Sequence, residues 1–81
     1  MAQPDEVGQV IHLEVDDDTV PSTRNLMIQS MYAEAAAEVT DGAGNTVWDA
    51  KAAGDTIEFP CGLYVAGLNA TGTGPVYVYL R

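Results

Sequence analysis

The chain has 81 residues, twelve of them acidic and three basic, for a net charge of −9, with a single cysteine and a single histidine. A domain of this size buries only about 60% of its unfolded surface. One cysteine excludes an internal disulfide and one Cys with one His makes a poor zinc set, so no metal or cofactor is expected and oligomerisation is left as the aid to stability. So acidic a surface repels phosphate backbones and anionic lipid, which excludes nucleic-acid and membrane-surface roles and leaves basic partners open.

Residues 1–8 are polar, contain Pro4 and Gly8, and read as an N-terminal arm; Gln3 and Pro4 are candidate docking residues. The stretch has neither the basic start nor the apolar run of an export signal, and no apolar run reaches membrane-span length, so synthesis in a reducing cytoplasm is expected. From Gln9 to Val15, Ile11, Leu13 and Val15 alternate with Val10, His12 and Glu14, the pattern of a first strand with one apolar face. His12, on the mixed face, reads as a surface or interface side chain, because neither a nucleophile nor a second histidine accompanies it. The carboxylates of Glu14, Asp16, Asp17 and Asp18 lack the spacing of a calcium loop, which favours a solvated turn over a cation site. Thr19–Thr23, with Pro21 at its middle, reads as a loop.

Arg24–Thr40 supports two readings. A helix would align Ile28, Met31, Tyr32, Ala35 and Val39 on one stripe, with Ser22 or Thr23 as N-cap and Gly42 beyond the end. As two strands, Arg24–Tyr32 and Ala33–Thr40, the second turns Ala35, Ala37 and Val39 inward and Glu34, Ala36, Glu38 and Thr40 outward. Context favours strands, since everything after residue 41 reads as β and a sandwich needs another strand over its core. Asp41–Asn45 should close a hairpin onto Thr46–Lys51, where Trp48 reads as a packing residue. Ala52–Asp55 turns the chain into Thr56–Phe59, which Pro60 is expected to end; Cys61 reads as structural, with no nearby group to activate it. Leu63, Val65 and Gly67 then alternate with Tyr64, Ala66 and Leu68, and Asn69–Pro75 reads as a Gly-rich turn in which the Asn69-Ala70-Thr71 sequon fills space. In the last strand Val76, Val78 and Leu80 oppose Tyr77, Tyr79 and Arg81.

The expected fold is therefore all-β: a small antiparallel β-sandwich of about six to seven short strands formed by residues 9–81 behind the arm. No nucleophile–base pair is apparent, so no catalytic role is expected.

One arrangement resembles a known group. It comprises an Arg-led apolar strand from Arg24, an Ala-rich strand, the Asp41-Gly42 hairpin, Val47-Trp48, Ala53-Gly54-Asp55 before Thr56-Ile57-Glu58-Phe59-Pro60, then Gly62-Leu63-Tyr64-Val65, Thr71-Gly72-Thr73-Gly74 and the closing Val76–Arg81. This order resembles small all-β structural proteins of tailed bacteriophages that decorate or cement heads or complete tails. The resemblance covers residues 24–81 through turn-and-strand patterns and implies a scaffold without transferable site residues. It implies residence in the virion after synthesis in the host cytoplasm, and contacts with the major capsid protein or other virion proteins. A head decoration protein is the first expectation, a tail or head-tail structural protein the second. A homo-oligomer, a trimer for instance, would supply the stability that the small core lacks. The expected interface comprises Tyr64, Tyr77, Tyr79 and Arg81, with Gln3 and Pro4 on the arm. The alternative from another class is a carbohydrate-binding β-sandwich, which needs Trp48 exposed for stacking.

Overall fold

The computed structural model describes residues 5–15 and 19–81. The described residues contain no helix. They form seven strands: β1 (Asp5–Val7), β2 (Val10–Leu13), β3 (Thr19–Ala33), β4 (Ala37–Asp41), β5 (Thr46–Ala50), β6 (Thr56–Gly72) and β7 (Val76–Leu80). Every pairing is antiparallel, in a single sheet of order β1-β2-β7-β3-β6-β4-β5. The all-β antiparallel expectation holds; the strands join one continuous sheet that bends over a common core, where two separate sheets were expected.

The bend follows from length. Extended strands rise about 3.3 Å per residue, so β3 with 15 residues and β6 with 17 would each run roughly 50 Å or more if straight. The longest dimension of the molecule is 30 Å. Both strands must therefore fold back, and the register shows where. Between the pairs Val20↔Leu68 and Asn25↔Ala66, Pro21–Arg24 of β3 stand opposite Gly67 alone. Between Ile28↔Leu63 and Ser30↔Glu58, Phe59–Gly62 of β6 stand opposite Gln29 alone. Extra residues on one side of a ladder bend and twist it.

These bulges explain the boundaries that differ from expectation. Pro21 and Pro60 mark bulges where a missing ladder donor costs nothing, so neither ends its strand. Thr19 and Val20, expected in a loop, pair with Asn69 and Leu68, and Thr19 Oγ1 hydrogen-bonds Asn69 Oδ1 at 2.8 Å. Asn69–Thr71, expected in a turn, lie in β6 opposite Glu38–Thr40 of β4. The Arg24–Thr40 ambiguity resolves into β3 and β4 with a short bend at residues 34–36. Asp5–Val7, expected in the arm, pair with β2 across a turn in which Gly8 takes φ of +62°. Gln3, Pro4 and Asp16–Asp18 lie outside the described residues.

The core follows the period-two pattern. Ile11, Leu13, Val20, Ile28, Met31, Val39, Leu68, Val76 and Val78 are fully buried, with Val15, Trp48, Ile57, Phe59, Leu63, Val65 and Leu80 packed around them. Alternation fails at Gly67 and Leu68, both buried, because the β3 bulge folds over this point. Cys61, expected to be structural, is exposed in the β6 bulge.

The β4–β5 turn is held by one carboxylate. Asp41 Oδ1 accepts the backbone N–H groups of Asn45 and Ala43, each at 2.9 Å. The Asn45 N–H foremost, with the Ala43 N–H adding to it against the opposing effect of desolvation, holds the Asp41 carboxyl below its ordinary 3.8. A carboxylate depressed in the folded state adds stability above its unfolded pKa and loses it as pH falls through the folded one. Asp41→Ala is therefore expected to lower the melting temperature at neutral pH, with the difference from the parent shrinking as pH drops below about 4. Thermal melts across that range check it.

Candidate interaction face

Cross-strand register places side chains from distant parts of the sequence side by side, because directly opposed residues share a face. On the outer side of the sheet, His12 of β2 stands opposite Tyr77 of β7, and Tyr77 opposite Tyr32 of β3. The ring centroids of His12 and Tyr77 are 4.9 Å apart with planes tilted by 32°, and those of Tyr32 and Tyr77 are 6.1 Å apart at 33°. Three strands thus carry one row of rings. The neighbouring row runs Val10, Tyr79, Ser30, Glu58.

Carboxylates bracket the first row. The Tyr77 hydroxyl donates to Glu34 Oε2 at 3.2 Å, and His12 Nε2 lies 3.7 Å from Glu14 Oε2, an ion pair when the imidazole is protonated. The Tyr77 phenol is raised above its ordinary 10.0, first by partial desolvation and then by the negative charge and hydrogen bond of Glu34. Glu14 adds to the same field.

Of the residues expected at an interface, Tyr77 and Tyr79 fall on this outer side by simple alternation along β7, and Arg81 follows directly after its last residue. Tyr79 is 38% exposed and Tyr77 half-buried between its neighbours. Tyr64 is 70% exposed and stands opposite Met27, whose carbonyl accepts the Arg81 N–H at 2.9 Å; Tyr64 thus lies two strands over from Arg81, with β3 between them. Arg81 Nη1 donates to the Pro60 carbonyl at 3.0 Å, so its side chain tethers the β6 bulge to the end of β7. Beside it a cleft of about 300 Å³ is lined by Gln29, Ser30, Glu58, Phe59, Pro60 and Arg81. His12 reads from the sequence as a surface or interface side chain, and Tyr32 is the member of the face that sequence reasoning leaves out; nothing local to residues 12, 32 and 77 says that they meet.

Trp48 stands opposite fully buried Val39 on the inner side of edge strand β5 and packs against the core. Among the described residues no group of three or more His, Cys, Asp or Glu side chains is placed to hold a metal ion. No family model, curated protein or solved structure matches this chain.

Proposed function

We propose that the chain is a structural protein of a tailed-bacteriophage virion, a head decoration or cement protein that docks through its outer aromatic face. The observation that carries the reading is the contiguous row of His12, Tyr77 and Tyr32, extended by exposed Tyr79. Tyrosines that offer both ring area and a hydroxyl are enriched at protein interfaces. The resemblance of residues 24–81 to small phage structural proteins supplies the setting, and the compact sheet with its edge strands β1 and β5 suits lattice contacts. The reading assigns the chain no chemistry. Trp48, packed on the core, does not offer the free indole that a carbohydrate platform requires.

The test is made on particles. Virions from the encoding replicon, purified and analysed by mass spectrometry, are expected to carry the chain in stoichiometric amount. The variant with Tyr77→Ser and Tyr79→Ser is expected to be lost from them while its circular dichroism stays that of the parent. Sedimentation equilibrium of the free chain is expected to show a closed oligomer such as a trimer. Absence of the parent chain from purified virions would end the proposal.

A further inference from the structure

The chemistry of the outer face narrows what can occupy it. Aromatic rings attract cations to their faces, and here the row of rings is flanked by Glu34, bonded to Tyr77, and by Glu14, next to His12. Two of the chain's cations are held elsewhere: Lys51 bonds Asp49 at 2.6 Å beyond β5, and Arg81 is tethered to Pro60. Along β7, Arg81 is four residues from Tyr77, roughly 13 Å away at ordinary strand rise.

A second copy of the chain fits this face poorly. Two copies apposed through it would bring Glu14 and Glu34 of one against the same residues of the other, on molecules that each carry −9. Like charges brought together without counterions disfavour such a contact, whereas a cationic segment gains from both the rings and the carboxylates.

We propose that the face formed by His12, Tyr77 and Tyr32 docks a basic segment of a partner protein, whose arginine or lysine side chains lie over the rings between Glu14 and Glu34. This deepens the structural reading by naming the chemistry of its partner. The planar guanidinium of arginine stacks on rings and donates two parallel N–H bonds to a carboxylate, so arginine is preferred to lysine.

The probe is an oligoarginine peptide, titrated into the isotopically labelled full chain and followed by NMR, with an oligoglutamate peptide of the same length as control. Oligoarginine is expected to shift the resonances of His12, Tyr32 and Tyr77, and oligoglutamate to leave them unchanged. The double variant Glu14→Gln with Glu34→Gln removes two charges at the face and is expected to bind oligoarginine roughly fivefold more weakly, the sum of two exposed charge pairs. The variant Glu38→Gln with Asp49→Asn removes two charges from the β4–β5 pair and is expected to bind as the parent does. Tyr77→Leu, checked for an unchanged fold by circular dichroism, should also bind more weakly. Equal weakening in the two charge variants would show attraction to overall charge alone and overturn the proposal. So would oligomerisation through this face on loss of Glu14 and Glu34, since the occupant would then be a second copy. The titration needs no particle. Absence of the chain from virions would remove the phage reading and leave this one standing, and a silent titration of a chain found on virions would remove this one alone.

Discussion

Gly67→Ala is expected to cost about 3 kcal/mol, a large part of the stability of so small a domain. Two effects combine. Gly67 has φ of +80°, a region in which side chains are strained by about 1–2 kcal/mol. A methyl group there would also stand 2.8 Å from the carbonyl oxygen of Val20, the last paired residue before the β3 bulge, and 3.0 Å from the Ser22 Cα within it. That bulge cannot easily retreat. Gly42, whose N–H donates to the Ala66 carbonyl at 2.8 Å, closes over Ser22 from the other side; a Cβ on Gly42 would itself meet the Ser22 Cβ at 2.6 Å. Gly54→Ala is the internal control. It shares a positive φ, +86°, but has open space where the methyl would go, so only the strain of about 1 kcal/mol is expected. Urea unfolding of both variants checks the difference. Equal losses would mean that backbone strain alone matters and that the close approach of β3, β6 and the β4–β5 turn does not hold the bend.

Period-two alternation read directly from residues separated the inner from the outer side wherever a strand runs straight. Ile11 and Leu13, Ala37 and Val39, and Val76 and Val78 are buried as their spacing implies, while Glu38 and Tyr79 stay outside. The same reading placed Tyr77, Tyr79 and Arg81 together, because alternation within one strand is a local property. What it missed depends on partners. Pro21 and Pro60 read as breaks because the sequence around a proline looks alike whether the chain leaves the sheet or bulges within it. Only the opposing residues, Gly67 and Gln29, tell the two apart, and each lies more than a turn's length away in sequence. Helix and strand could not be separated over Arg24–Thr40 from local pattern either; Met31 settles it by pairing with Ile57 on one side and Val78 on the other. The ring row has the same origin. His12, Tyr32 and Tyr77 come from three strands, and their meeting is a consequence of register that no single stretch encodes.

Ile28→Ala is expected to cost about 3–4 kcal/mol, near the middle of the range for large-to-small changes in a packed core. Ile28 is fully buried and sits where β3 is paired on both sides, with Leu63 of β6 and Leu80 of β7. One residue further, at Gln29, both ladders shift register. Removing the side chain leaves a void between two hydrogen-bonded neighbours that cannot close in without giving up ladder bonds, so the cavity cost persists. Val47→Ala in edge strand β5, only half-buried and free to relax, is expected to cost about 1 kcal/mol or less. The consequence reaches the outer face. The pair Ile28↔Leu80 anchors the end of β7 against β3, next to the stretch beyond Gln29 in which Tyr77 pairs with Tyr32. Ile28→Ala should therefore weaken the Tyr32–Tyr77 ring contact under conditions in which most molecules remain folded, seen as loss of the nuclear Overhauser effects between the two rings. A loss of stability below about 1 kcal/mol, with those effects intact, would place the anchor elsewhere in the β3–β7 ladder.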